Sequence, residues 1–257
     1  MVSTRGFCPL AAYHRSNGWL IPYPVRVARQ PKRASARAWF YRILRFAIAL
    51  VIAFYVCAAA ALFALRTVDP PFTAVQVQRR IESWLHRTPY HKRYVFVPLS
   101  RISLDFQHAV IAAEDSRFYQ HHGFDWDEVR NVVEEEREDG RLRGASTLTQ
   151  QLVKNLFLST SRSFVRKGIE FTLVPLAERI LGKRRILELY LNVVEWGPGV
   201  WGAQEAAEFH YGIAAARVDR EQGARLAAIL PSPLRRKPSR MTQYSQIILE
   251  RMSKMGW

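Results

Sequence analysis

The sequence contains almost no cysteine, and its first 68 residues contain no acidic residue. Its two cysteines are Cys8 and Cys57, so the chain after Cys57 can form no internal disulfide. Nine Lys or Arg residues fall within positions 1–45, which places over half of the net charge of +16 in a short N-terminal arm. The charge is therefore a property of that arm more than of the main domain.

Charged residues are also absent from positions 46–65, a run of 20 residues between Arg45 and Arg66. A helix of that length, at about 1.5 Å per residue, is about 30 Å long and matches the hydrocarbon core of a bilayer. A buried soluble helix is one alternative. A signal peptide cleaved near the alanines at 59–61 is another, but the basic region and the apolar run are both too long for one. We predict an uncleaved membrane anchor.

These features predict three segments. Residues 1–45 form a basic cytoplasmic arm, 46–65 a transmembrane helix, and 66–257 an exported domain, because basic residues before a span stay in the cytoplasm. Anionic lipid headgroups explain the excess positive charge. Binding to nucleic acid is not expected, because the basic arm adjoins the span and contains no recognisable nucleic-acid motif.

Helical periodicity dominates the exported part, so we predict a mainly α fold in one domain. Residues 1–38 mix Arg, Pro, Gly and Ser without apolar periodicity and are predicted to be loosely structured. One short extended segment is predicted at 94–99, with no series of paired strands. Helices are predicted at 75–86, 104–113, 126–139, 148–157, 164–181, 185–193, 203–210, 220–229 and 242–254.

The stretch 109–123 is the first candidate site, because an apolar run there ends in the adjacent carboxylates Glu114 and Asp115. A carboxylate at the margin of an apolar run loses hydration, which raises its pKa toward the range of a general acid or base. The alternative is a helix end whose acids lie in solvent. His121 and His122 are not expected to bind a metal, because they lack Cys or His partners at ligand spacing.

The stretch 144–155 is the second candidate. Thr147 and Gln150 have the spacing of a capping box, which predicts a helix start. Gln151 and Lys154 share another face of that helix. A helix N-terminus beside a lysine suits a phosphate, although a capped amphipathic helix with ordinary surface residues explains the same pattern.

The third candidate combines Arg162, Arg166 and Lys167 with Glu170. Arg166 and Glu170 are four apart, so they could form a simple surface ion pair. The functional interpretation is a carboxylate kept ionised by cations and facing a second, basic carboxylate. The apolar inner face of this helix is expected to comprise Phe164, Ile169, Leu173 and Leu176.

Four motifs occur in succession: Glu-Asp-x-x-Phe-x-x-His-x-Gly from Glu114, Gly-x-Ser-Thr-x-Thr-Gln-Gln-Leu-x-Lys-Asn from Gly144, Arg-Lys-x-x-Glu from Arg166, and Lys-x-x-Ile-Leu-Glu-x-Tyr-Leu-Asn from Lys183. Their order and spacing resemble the peptidoglycan glycosyltransferase family, which includes the glycan-polymerising domains of class A penicillin-binding proteins. The resemblance covers roughly 97–233 and implies a lysozyme-like, all-α fold with a small membrane-associated lobe.

The resemblance implies that the protein polymerises lipid II into β-1,4 glycan strands, with inversion and release of undecaprenyl pyrophosphate. Glu114 matches the catalytic base, which takes the proton of the acceptor's sugar 4-hydroxyl. Glu170 matches the second catalytic acid, which assists departure of the pyrophosphate directly or through a divalent cation, Mg²⁺ or Mn²⁺. The resemblance implies no cofactor besides this cation.

The resemblance also assigns substrate-binding positions and a location. The protein would lie in the inner membrane of a bacterium with its catalytic domain in the periplasm. Its partners would be lipid II, the growing glycan chain and membrane lipids. Cell-division or cell-wall synthesis proteins are candidates for further partners. The matched substrate-binding positions are Asp115, Phe118, His121, Ser146, Thr147, Gln151, Lys154, Asn155, Arg162, Arg166 and Lys167.

Two alternatives are weighed against polymerisation. A lysozyme-type hydrolase also uses carboxylates in an α-rich cleft, but it needs no cations that bind pyrophosphate. An inactive membrane-anchored scaffold is disfavoured because both acids, Glu114 and Glu170, are present together with their neighbours.

Overall fold

The computed structural model forms two compact units, Met1–Ile52 and Ala53–Trp257. The second unit is mainly α-helical, which confirms the predicted fold class. The structure describes residues 12–16, 18–23, 36–139, 146–161 and 163–257.

The first unit contains an antiparallel hairpin of β1 (Ala12–Ser16) and β2 (Trp19–Tyr23). The prediction that residues 1–38 lack regular structure is therefore wrong for these two segments. An Asn-Gly pair at positions 17 and 18 separates them, and Gly18 has a φ of +85°. Asn-Gly favours the tight turns of hairpins, so the sequence did contain a signal for this element.

Helix α1 (Ala36–Ala64) begins before the predicted span and ends one residue short of it. Its segment Arg37–Ala64 is the one helix in the described ranges that is long and apolar enough to cross a membrane. The remaining helices closely follow the predicted ones. They are α2 (Ala74–His86), α3 (Leu104–Glu114), α4 (Trp126–Asp139), α5 (Leu148–Phe157), α6 (Phe164–Val193), α7 (Ala203–Tyr211), α8 (Arg220–Ala227) and α9 (Thr242–Lys254).

A small sheet in the second unit was not predicted. Strand β5 (Val200–Trp201) pairs in parallel with β3 (Arg93–Tyr94) and antiparallel with β4 (Glu195–Gly197). Of the extended segment predicted at 94–99, only its first residue lies in a strand, and Leu99 begins a 3₁₀ turn. Strands of two or three residues are too short to show an alternating pattern, so periodicity could not reveal them.

Helix α6 consists of two helical segments separated by a kink, as the sequence predicted. Gly182 has φ 72° and ψ 161°, outside the helical region, and marks the break between the two predicted segments. The predicted inner face is wrong at Phe164, whose side chain is 99% exposed, whereas Leu173 is fully buried. Phe164 and Ile169 are five residues apart, which puts them on different faces of a helix.

The main core surrounds α3. Phe106 of α3 is fully buried and its ring lies 5.1 Å from that of Trp196, while α8 and α9 pack on other faces of the helix. A second cluster joins the C-terminal part of α1 to α5 and α6 through Leu62, Val153 and Leu173. The end of α1 is thus part of the folded domain.

Candidate active site

Glu114 is the last residue of α3 and is half-buried at the edge of a cleft of about 200 Å³. The apolar run before it is buried in the core, so α3 runs from the core to the cleft and ends there at Glu114. The cleft brings together residues from α3, α5 and α9 and their flanking loops. Its walls include Asp115, Ser116, Asp125, Ser146, Thr147, Gln151, Tyr244 and Arg251.

The carboxylate of Glu114 is held by a chain of side-chain hydrogen bonds. Gln151 Nε2 donates to Glu114 Oε2 at 2.7 Å, and the Tyr190 hydroxyl donates to Gln151 Oε1 at 2.9 Å. With Oε1 of Gln151 bonded to the Tyr190 hydroxyl, Nε2 is the end of the amide that faces Glu114. The chain therefore orients one oxygen of Glu114 and leaves the other without a hydrogen bond from Gln151.

Burial raises the pKa of the Glu114 carboxyl above its ordinary value, and the negative charge of Asp115 adds to the rise. The hydrogen bond from Gln151 and the positive charges of Lys154 and Arg236 act in the opposite direction. A carboxyl with a raised pKa is a better proton acceptor once ionised. Ionisation of Glu114 costs stability as the pH rises through the folded-state pKa, because burial penalises the charged form.

Asp115 is buried and joins three parts of the site. One oxygen, Oδ1, lies 2.9 Å from His121 Nε2, and the other, Oδ2, accepts the backbone N–H of Leu148 at 2.9 Å. His121 Nδ1 in turn accepts the backbone N–H of Gly123 at 3.1 Å. The first motif is thus attached through Asp115 to the start of α5.

The start of α5 has the predicted capping box. The Thr147 side chain accepts the backbone N–H of Gln150, and the Gln150 side chain accepts that of Thr147. The Thr147 hydroxyl also donates to the Gly123 carbonyl at 2.7 Å. Gly123 has a φ of +97°, and a Cβ there would lie 2.5 Å from Val174 Cγ1, so the motif glycine has a steric reason.

Glu170 forms a second acidic centre on α6. It is only 2% exposed, accepts a hydrogen bond from Arg166 Nη1 at 2.6 Å, and pairs with Lys167 Nζ. Arg166 is itself held by the Ser161 carbonyl, 2.7 Å from its Nε. Burial distinguishes this cluster from an ordinary surface pair, because a buried carboxylate requires its cationic partners.

Lys154 connects the two acidic centres electrostatically. Its half-buried ammonium interacts with both Glu170 and Glu114. Burial lowers the pKa of Lys154, and the two carboxylates oppose that change, while Arg166 and Lys167 reinforce it. A partly desolvated cation between two acids suits an anionic group that enters the site.

The surroundings of Glu170 do not fit a divalent cation in this arrangement. Its carboxylate is occupied by Arg166 and Lys167, and their positive charges repel a metal ion. Within the described residues, no group of three or more His, Cys, Asp or Glu side chains lies close enough together to hold a metal. His121 is engaged with Asp115 instead.

The remaining predicted positions differ in their setting. Phe118 is fully buried, and Lys183 Nζ lies 4.5 Å from the centroid of its ring. Phe118 is therefore a packing residue of this region and is not exposed to the cleft. Asn155 is buried, and Ser146 is exposed at the cleft. Arg162 lies outside the described residues.

Sequence reasoning missed several residues near Glu114. Tyr190 belongs to the fourth motif but had been given no role, and Tyr244 and Arg251 come from α9, which contributed no motif. Arg251 Nη1 donates to the Ala112 carbonyl at 3.4 Å, which draws α9 to the end of α3. Of these residues, only Tyr190 belongs to a sequence motif. Tyr244 and Arg251 reach the cleft because α9 packs beside α3.

Known proteins with similar sequences identify the family of this chain. The transglycosylase family matches residues 81–253, and the chain belongs to that family. It is 44% identical over 198 residues to the biosynthetic peptidoglycan transglycosylase of Pseudomonas entomophila, covering 77% of this chain and 81% of the relative. The protein of the same name from Pseudomonas aeruginosa is 41% identical over 208 residues, covering 81% and 88%. A third, from Pseudomonas putida, is 46% identical over 192 residues, covering 75% and 79%.

We predict that Asp115→Asn destabilises the protein by about 1–3 kcal/mol, because an amide cannot accept from both His121 and the Leu148 N–H. Thermal unfolding in detergent, followed by circular dichroism, measures the change. Glu208→Gln, at an exposed position on α7, is the matched control and should leave the midpoint unchanged. Equal midpoints for the two variants would contradict the bridging role of Asp115.

Proposed function

We propose that the protein polymerises lipid II into glycan strands of peptidoglycan at the outer face of the cytoplasmic membrane. The observation that carries the proposal is the half-buried Glu114, with its raised pKa, facing a cleft next to the cationic cluster of Lys154, Arg166 and Lys167. A base and a binding site for a leaving anion are the two requirements of transfer from a sugar pyrophosphate. Membership of the transglycosylase family supports the same reaction.

The proposed step uses Glu114 as the base. The carboxylate oxygen that does not bond Gln151 takes the proton of the acceptor's 4-hydroxyl, while the hydroxyl oxygen attacks the anomeric carbon of the growing chain. The bond from the anomeric carbon to the pyrophosphate breaks, and the electron pair leaves with the phosphate oxygen. Attack from the face opposite the leaving group inverts an α-linked phosphate to a β-1,4 linkage.

The cationic cluster receives the leaving pyrophosphate. Lys154, Arg166 and Lys167 lie around Glu170, which holds the last two in fixed positions by ion pairs. Preorganised cations lower the barrier because they need not reorient as charge develops on the leaving group. We assign Glu170 the second catalytic position on this basis, with no step through a metal ion.

The other predicted substrate-binding residues fall into two groups in this proposal. Ser146, Thr147 and Gln151 line the cleft and would contact sugars or phosphates, as would Asn155 and Arg162. Asp115, Phe118 and His121 would position the cleft wall, since all three are buried and Asp115 and His121 are bonded to each other.

The proposal includes a location for each segment. Residues 1–45 would lie in the cytoplasm, 46–65 would cross the inner membrane, and 66–257 would form the periplasmic domain. The basic residues before the apolar helix support this orientation. Anchoring raises the effective concentration of a lipid-linked substrate at the cleft. Cell-division or cell-wall synthesis proteins are further partners in this proposal.

We expect Glu114→Gln to abolish polymerisation, because an amide cannot accept the hydroxyl proton. The purified full chain is incubated with lipid II, and polymer and released lipid pyrophosphate are measured. Glu134→Gln, at an exposed position on α4, controls for loss of an acid and should retain wild-type turnover. Substantial turnover by Glu114→Gln would overturn the base assignment, and shortening of preformed glycan by the wild type would favour a hydrolase.

The pH dependence of kcat/KM should identify Glu114 as the group that must be ionised. Activity is expected to rise with pH through the folded-state pKa of Glu114, so its acidic limb lies above that of an ordinary glutamate. Gln151→Leu removes the hydrogen bond that lowers this pKa, so the limb should move to higher pH. Gln246→Leu, exposed on α9, should leave it in place, and an unmoved limb in Gln151→Leu would contradict the assignment.

Glu170→Gln should slow polymerisation, though less completely than Glu114→Gln, because Arg166 and Lys167 lose the charge that positions them. The same lipid II assay measures the effect. Glu221→Gln on α8 is the matched control and should retain wild-type rates, since Glu221 also forms an ion pair with an arginine four residues away, Arg225, at 2.8 Å. Wild-type rates in Glu170→Gln would remove its proposed role.

A further inference from the structure

Helix α2 has an apolar stripe that faces away from the protein. Val77, Ile81, Trp84 and Leu85 follow the spacing of one helix face, and all four are exposed. The Trp84 side chain is 78% exposed, the largest fraction of the four. A stripe of this width on a surface helix normally faces a core or another apolar medium.

The other side of α2 is fixed to the domain, so the stripe cannot turn inward. Val75 is buried, and α2 packs against α5. Arg79 Nε lies 3.1 Å from Glu195 Oε2 in β4, and Gln78 exchanges hydrogen bonds of 2.7 and 2.8 Å with Thr160. These contacts come from two different parts of the domain and set the rotation of the helix about its axis.

The polar residues beside the stripe are cationic. Arg80 and Arg87 are both exposed, and the one acidic residue of α2, Glu82, is paired with Arg79 at 2.9 Å. An apolar stripe flanked by arginines complements a bilayer surface with anionic headgroups. It complements a protein surface less well, since most such surfaces mix both signs of charge.

The end of the membrane helix keeps α2 close to the bilayer. Nine residues separate Ala64, the last of α1, from the start of α2, so the connection spans at most about 30 Å. The connection is also tied to the domain, because Arg185 donates to the carbonyls of Leu65 and Val68 and the Tyr94 hydroxyl donates to that of Pro70. The helix therefore cannot move far from the point where α1 ends.

We propose that α2 is an interfacial helix that lies along the outer surface of the bilayer, with its apolar stripe at the acyl boundary and Arg80 and Arg87 at anionic headgroups. The inference rests on the proposed anchoring by α1. A single span can tilt and rotate in the bilayer together with the domain packed on its end, and a second lipid contact restricts both motions. Because α2 packs on α5, which carries Gln151 and Lys154, the contact sets the height and direction of the cleft relative to the membrane.

Site-directed spin labelling of the full chain in lipid nanodiscs tests the proposal. Cys8 and Cys57 are replaced by serine, and a label is introduced by Leu85→Cys on α2. Leu104→Cys, equally exposed but on α3, is the matched aqueous control, and Val56→Cys reports the span itself. Collision rates with molecular oxygen, which concentrates in lipid, and with a water-soluble nickel complex give the depth of each label.

The label at position 85 is expected to collide more with oxygen and less with nickel than the label at 104. Its depth should be greater in bilayers with anionic lipid than in zwitterionic ones, and equal depths would overturn the role of the arginines. Nickel access at 85 equal to that at 104 would overturn the proposal, as would protection from both agents, which indicates a protein partner or a second copy. If the label at position 56 contacts lipid in those cases, the proposed anchor by α1 is still supported. If the label at position 56 is accessible to the nickel complex, both the proposed anchor and the proposed role of α2 are overturned.

Discussion

The buried carboxylate of Asp115 is the contact on which the rest of the site depends. Its two oxygens join His121 to the first turn of α5, so the end of α3 and the start of α5 are held side by side. Glu114, the preceding residue, is thereby placed within hydrogen-bonding distance of Gln151. Together with the hydrogen bond from the Thr147 hydroxyl to the Gly123 carbonyl, this bridge holds Glu114 and the N-terminus of α5 at a fixed separation.

The two glutamates of the site have opposite environments, and that difference underlies the separate roles proposed for them. Glu114 is half-buried beside a neutral amide, and burial raises its pKa. Glu170 is more deeply buried but lies against Arg166 and Lys167, which balance its charge. A carboxyl with a raised pKa suits proton transfer, while a charge-balanced one suits the positioning of cations. Lys154 interacts with both and links the two functions.

Membrane attachment and catalysis meet in the same helices. The C-terminal part of α1 packs through Leu62 on α5 and α6, the two helices that carry Gln151, Lys154 and Glu170. The anchor is thus built into the core beneath the site and is more than a flexible tether. For the lipid-linked substrate proposed above, this packing keeps the cleft close to the end of the apolar helix.

The sequence by itself determined the helices, the apolar span, the capping box at Thr147 and the motifs that contain Glu114 and Glu170, because these depend on residues close together in the chain. It could not supply the burial of Glu170, the exposure of Phe164 or the Tyr190–Gln151–Glu114 chain. It also missed the short β3–β5–β4 sheet and the arrival of α9 at the cleft. Those features arise from contacts between distant segments, and only tertiary packing decides which distant segments meet.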